Sequence, residues 1–205
     1  EHVALLHVTF GASSALCAVD CDVRLRVTRG VPGVTVVQER LDANPWWAID
    51  NGTAPSGWEY GTPVAGVPGA PNAGYTGSAV YGTNLSGNYA PNAHYELVAG
   101  PYDLTGVRHA ELRFARWLVS EAGFDIATVD VRRGADGPWT TVWKGFGRDT
   151  SWVPLRYDVS AALDGSAAVY VRFTLSSDAL HNFPGFYVDD LSLVGERVPI
   201  AGAWV

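Results

Sequence analysis

The chain has 205 residues, 47% of them hydrophobic and 12% aromatic, enough for one large domain with a sizeable core. A formal net charge of −7 argues against a nucleic-acid partner, which would want a basic stripe. No apolar run reaches the roughly 18 residues of a membrane span, so no span is expected. Glycine (23) and proline (12) are plentiful, and Trp (8) and Tyr (9) favour strands, a balance that points to a sandwich or barrel with many turns. The chain begins at Glu1, contains no methionine and opens on no secretory leader; it reads as processed or excised from something longer, which is compatible with secretion.

In chain order, His2 to Phe10 is apolar and β-prone, and Asp22 to Thr28 alternates as a half-buried strand does. Gly11 to Cys21 between them suits a hairpin loop, and Gly30-Val31-Pro32-Gly33 reads as a linker. Residues 1–33 are therefore expected to form an N-terminal β-hairpin and linker, with the end of a preceding domain as the alternative. Cys17 and Cys21 close either a small disulfide loop or remain two thiols; a zinc site lacks further ligands beyond His2 and His7.

Val34 to Leu41 is the expected first strand of the main domain, broken by Asp42-Ala43-Asn44-Pro45-Trp46-Trp47. Asp50-Asn51-Gly52 signals a turn. Short strands are expected at Trp58–Gly61 and Ser78–Tyr81, around a long irregular loop over 61–78 that is either functional or tied down. Further strands read at His94–Val98, Ala110–Val119, Thr128–Arg133, Trp139–Lys144, Trp152–Tyr157 and Ala168–Leu175, with one helical turn at Asp158–Leu163. Gly185 to Leu193 is the last strong strand, and 196–205 reads as a tail. Roughly nine to eleven strands at such spacing are a sandwich signature.

The last strand carries Asp189 and Asp190. Successive side chains of a strand point to opposite faces, so one of the two is expected to be buried. A buried carboxylate requires a cation or a full set of hydrogen-bond donors. If Leu191 and Leu193 face the core, a period of two puts Asp189 with them; if Val188 does, it is Asp190.

Leu41-Asp42-x-x-Pro45-Trp46, Trp58-Glu59-Tyr60-Gly61-Thr62-Pro63 and the run from Tyr75 to Tyr89 follow one another in an ordered pattern. Downstream come Arg116-Trp117-Leu118-x-x-Glu121-x-x-x-Asp125, Asp136-Gly137-x-Trp139-Thr140-x-Val142-Trp143, Tyr157-Asp158-Val159-Ser160 and Gly185-Phe186-Tyr187-Val188-Asp189-Asp190-Leu191. In order and spacing these resemble the MAM-like jelly-roll domains of secreted bacterial proteins. That group includes the cleaved-adhesin type domains of surface proteases and haemagglutinins and modules beside immune-inhibitor-A type metallopeptidases. Phe186 stands where the group usually has Trp. The resemblance spans 34–195 and implies an all-β jelly-roll sandwich of two antiparallel sheets.

It also implies a structural calcium ion where the first strand meets the last, held by Glu39 or Asp42 together with Asp189 or Asp190. Calcium takes six to eight oxygens from carboxylates, amides, carbonyls and water, which suits these residue types. The plainer alternative pairs one Asp with Arg116 or Arg172. Glu121 with Asp125 forms a second cation candidate, against a plain reading as turn carboxylates.

A Trp face packs against pyranose C–H groups, and Trp47 and Trp139, beside turns, are the candidate sugar platforms. Asn84, Asn88 and Tyr89 are candidate hydrogen-bonding partners of a glycan, though turns within their loop explain them equally well. The chain has no His-Glu-x-x-His, no Gly-x-Ser-x-Gly elbow and no phosphate loop. The expected function is thus a non-catalytic, secreted, calcium-stabilised module binding a glycan or extracellular protein within a larger protein. The alternatives are an accessory domain of a secreted metallopeptidase and a jelly-roll polysaccharide hydrolase or lyase.

Overall fold

The structure, a computed structural model, describes residues 33–197. The expected N-terminal hairpin, Cys17 and Cys21, and the tail beyond Arg197 lie outside the described residues. The strands in chain order are β1 (Val34–Glu39), β2 (Ala48–Asp50), β3 (Glu59–Gly61), β4 (Val80–Gly82), β5 (His94–Tyr102), β6 (Val107–Val119), β7 (Ile126–Arg133), β8 (Thr140–Gly145), β9 (Val153–Asp158), β10 (Val169–Ser176) and β11 (Gly185–Arg197). A single helical turn, α1 (Ser160–Leu163), precedes β10. Among the described residues no helix is long and apolar enough to cross a membrane, which says nothing of a β-barrel.

Two antiparallel sheets face each other. The five-stranded sheet runs β2-β5-β10-β7-β8, and the six-stranded sheet runs β3-β4-β11-β6-β9 with β1 also on β11. The expected all-β sandwich of two antiparallel sheets is what the chain forms. Alternation explains it. In β7, Ala127, Val129 and Val131 are buried, while Thr128, Asp130 and Arg132 point outward; in β10, Val169, Val171, Phe173 and Leu175 pack inward. From the other sheet come Leu112, Phe114, Leu118, Phe186, Val188, Leu191 and Leu193. Phe173 meets Phe114 and Phe186 edge to face, at 5.1 and 5.9 Å between centroids, a geometry that adds to plain area burial.

Several boundaries differ from expectation, β5 running on to Tyr102 and β6 starting already at Val107. Ala48–Asp50 is a strand paired with β5, in the stretch between the break at 42–47 and the turn at 50–52 where no strand was expected. Glu196 and Arg197, read as the start of a tail, continue β11 opposite Arg108 and Val107.

β11 changes partner along one of its edges. Tyr187 and Val188 pair with β4, and Leu191 to Gly195 pair with β1. Between them the register against β6 slips, and Asp190 has a φ of +50°. This is a β-bulge at the Asp189–Asp190 step. Both Val188 and Leu191 therefore reach the core, and Asp189 turns to the outer face of the six-stranded sheet.

Candidate functional site

The outer face of the five-stranded sheet is a dense polar surface built by register. Pairing of β7 with β10 sets Arg132 opposite Tyr170, Asp130 opposite Arg172 and Thr128 opposite Thr174. Pairing of β10 with β5 sets Arg172 near Glu96 and Ser176 opposite His94. Arg172 bridges Glu96 at 2.9 Å and Asp130 at 3.1 Å. Thr128 and Thr141 donate their hydroxyls to Asp130, and Thr128 shares a 2.8 Å bond with Thr174. Trp139 reaches over this surface from the β7–β8 hairpin. The guanidinium carbons of Arg132 and Arg172 each lie 4.4 Å from its ring centroid, and that of Arg132 lies 4.8 Å from Tyr170. Such cation–π contacts fix the half-buried indole in place.

On the same face Ser176 Oγ lies 2.7 Å from His94 Nδ1, and His94 Nε2 lies 3.2 Å from Glu96. The order is that of a hydroxyl–imidazole–carboxylate triad. β10, however, is laddered to β5 on one side and β7 on the other through Ser176, so no backbone N–H is left there to receive an oxyanion. Glu96 is also committed to Arg172.

The second assembly lies on the outer face of the six-stranded sheet, under the 62–79 loop. Asp189 is 1% exposed. Its Oδ2 accepts the N–H groups of Tyr75 (2.7 Å) and Thr76 (3.2 Å), and its Oδ1 accepts that of Asp190 (2.8 Å). Asp190 accepts the Thr76 hydroxyl at 2.7 Å. Neither carboxylate pairs with Arg116, which binds Asp149. Burial pushes the Asp189 carboxyl up to about 7 in spite of the three N–H donors. The oxygens of the loop converge here: a side chain at Gly74 would meet Thr76 O, Asp189 Oδ2 and Ala79 O, and one at Gly77 would meet Asp42 Oδ1 at 3.0 Å. Oxygens are the donors that a hard cation such as calcium takes, although Asp42, Asp189 and Asp190 do not bring one carboxylate oxygen each within 4.8 Å of one another and Asp189 already accepts three N–H groups. Asp42 and Asp189 both raise the Tyr60 phenol, behind its own burial, whereas Glu39 acts on Tyr81 and Tyr102. The structure thus draws Asp42, Asp189 and Asp190 around one loop and sets Glu39 opposite Leu191, the residue after Asp190.

The loop is held by two indoles. Trp117 Nε1 donates to Gly69 O at 2.8 Å and Trp152 Nε1 to Ala73 O at 3.1 Å. The two rings pack edge to face, and Ala70, Val80, Leu85 and Tyr187 form a small apolar cluster beside them.

Glu121, Asp125 and Asp178 place one carboxylate oxygen each within 4.8 Å of one another, the one grouping of three acidic or imidazole residues that close among the described residues. Asp125 is fully buried; it accepts the Tyr89 hydroxyl and, at 2.8 Å, the Asp178 N–H. Asp178 was not singled out in the sequence, because it joins the pair only through the β10–β11 loop.

Two expected ligand contacts are corrected by burial. Trp47 is 7% exposed and stacks on Tyr81 at 4.9 Å, so its ring belongs to the core. Tyr89 is 2% exposed with its hydroxyl given to Asp125. Asn88 ties its loop to Asn182 O, and Asn84 to Asn88 O, both at 2.7 Å. Asn84 also lines a polar cavity of about 390 Å³ with Asn51, Ser56, Trp58, Glu59 and Ser86. Trp46, beside Trp47, is the exposed ring, at 85%, on a left-handed backbone.

No protein-family model matches the sequence. The chain is 34% identical over 163 residues to Bacillopeptidase F of Bacillus subtilis (strain 168), an alignment covering 79% of this chain and 11% of that protein. It therefore spans about a tenth of the length of the curated relative it matches. Among solved structures, the K1 and K3 cleaved adhesin domains of Lys-gingipain from Porphyromonas gingivalis W83 superpose with a TM-score of 0.54 each, at 14% and 15% identity. They are matched over 77% and 78% of this chain and 96% and 98% of theirs. The C-terminal family 22 carbohydrate-binding module of Clostridium thermocellum Xyn10B superposes at 0.50 and 13% identity, over 81% of this chain and 96% of that one. At these identities the likeness is one of fold.

Proposed function

We propose that this chain is a non-catalytic, secreted binding module of a larger protein, that it takes a saccharide on the outer face of its five-stranded sheet, and that calcium stabilises the opposite sheet. The observation that carries the reading is the setting of Trp139 and Tyr170 beside the Glu96–Arg172–Asp130 network. Binding sites pair apolar ring surface with a few fixed polar groups. Here the rings supply surface for sugar C–H groups, and Glu96, Thr128 and Thr141, none of them buried, supply fixed partners for sugar hydroxyls. Adhesin domains and a carbohydrate-binding module among proteins of the same fold support the reading.

The calcium ion would be held by Asp42, Asp189 and Asp190 with loop carbonyls such as Thr76 O and Ala79 O. It would supply the positive charge that the buried Asp189 otherwise lacks.

A second reading, an accessory domain of a secreted peptidase, is favoured by the identity with a segment of Bacillopeptidase F. It is compatible with the first, since a module of that kind presents or positions a substrate for a neighbouring catalytic domain.

Retardation of the purified chain in native gels containing soluble polysaccharides tests the proposal. Slowed migration in at least one, relieved by Trp139→Ala, is expected. Unaltered migration in every polysaccharide would sink the saccharide reading and leave the peptidase-accessory reading standing.

A further inference from the structure

Arg132, near the end of β7 beside the β7–β8 hairpin, differs from its neighbour Arg172. Arg172 is spent on Glu96 and Asp130. Among the described residues Arg132 makes no ion pair, and its Nε is buried with no hydrogen-bond partner. The guanidinium is nonetheless fixed, through its contacts with Trp139 and Tyr170. An immobilised guanidinium with unspent donors is a preorganised oxyanion receptor: its planar fork matches a carboxylate or sulfate with two parallel N–H···O bonds. Holding it against aromatic rings removes the side-chain ordering cost that usually weakens such a contact.

A second cation shares this face. Lys144, opposite Thr128 in the β7–β8 pair, is exposed and points to the same side as Arg132. The unpaired carboxylate, Asp50, lies at the far edge on β2 opposite Glu96. Arg132 and Lys144 thus both lie on the β7–β8 side of the face, four positions apart along β7, although the whole chain carries −7.

We infer that the saccharide taken by this face is anionic, carrying a carboxylate or sulfate that docks on Arg132, with Lys144 about 13 Å further along the face to meet a second charge of the same chain. This rests on the reading of the outer face as a saccharide site. An acidic protein segment fits less well, because Glu96 and the hydroxyls of Thr128 and Thr141, none of them buried, offer hydrogen-bond partners for the many hydroxyls that a saccharide carries and a peptide lacks.

The test is calorimetric titration of the 205-residue chain with two matched pairs: polygalacturonate against its carboxyl-reduced neutral form, and dextran sulfate against dextran. Association about tenfold or more tighter for the charged member of one pair is expected, the scale of a charge-assisted contact. Which pair shows it identifies carboxylate or sulfate. Arg132→Gln should abolish the preference, and Lys144→Gln, at an exposed position that the fold does not depend on, should reduce it several-fold. Equal affinity within both pairs, or a preference unchanged in both variants, overturns the inference while leaving the saccharide reading intact. No binding to these four or to any neutral polysaccharide overturns both.

Discussion

The Tyr75 N–H donates to Oδ2 of Asp189 across 2.7 Å, joining residues 114 apart in sequence. The 62–79 loop is thereby anchored to the bulge at which β11 exchanges β4 for β1, and the buried carboxylate is the anchor.

That anchor titrates in a measurable direction. The folded Asp189 carboxyl lies at about 7, raised by burial, above the roughly 3.9 of an unfolded aspartate. The folded state then holds the extra proton. Stability from this group is full below about pH 4 and is lost as pH rises through 7. In chelator, thermal or urea melts should show stability falling from pH 4 to 8. Calcium should flatten that slope and raise the melting temperature near neutral pH. Asp189→Asn should remove both effects. A melting temperature indifferent to chelation and calcium, with no ion in the purified protein, would refute the calcium proposal, and loss of the calcium effect in Glu121→Gln but not in Asp189→Asn would place the ion at the Glu121–Asp125–Asp178 cluster instead.

Much of this was legible beforehand, and the failures have physical causes. Strands β5 to β11 follow from alternation and turn residues. β2 did not, because three residues after Pro45-Trp46-Trp47 carry no period and exist as a strand only through pairing with Val98, Leu97 and Glu96. The choice between Asp189 and Asp190 was undecidable by a period of two, since the bulge breaks that period and sends both Val188 and Leu191 inward. Trp47 and Trp139 both sit beside turns, yet one stacks inside on Tyr81 and the other lies outside against Arg132 and Arg172. Only the register of β7 against β10 brings the two arginines together.

Gly185 opens β11 with a φ of +96°, and a methyl group there would collide with Thr83 Oγ1 and press on Tyr89 at 3.0 Å. That hydroxyl already accepts the Phe186 N–H at 3.0 Å. Gly185→Ala should therefore destabilise the chain by about 2–4 kcal/mol, from left-handed strain plus overpacking. Urea denaturation measures it; a cost under about 1 kcal/mol would mean that the start of β11 yields easily.

The loop over 62–79 should stay closed only while its indole clasps hold. Replacing Trp117 and Trp152 by Phe keeps an aromatic ring and removes the bonds to Gly69 O and Ala73 O. Limited proteolysis should then cleave within 62–79 faster than in the parent chain, with the core strands still protected. Equal cleavage rates would show that the apolar cluster around Tyr187 suffices to hold the loop.

The most direct measurement is to map a bound saccharide by chemical-shift perturbation in the isotopically labelled chain. The Trp139 indole and the amides of Tyr170, Arg172 and Thr128 should shift together and saturate in parallel. Perturbations confined instead to the Asn51–Glu59 and Asn84–Ser86 cavity, with the outer face of the five-stranded sheet silent, would contradict the account.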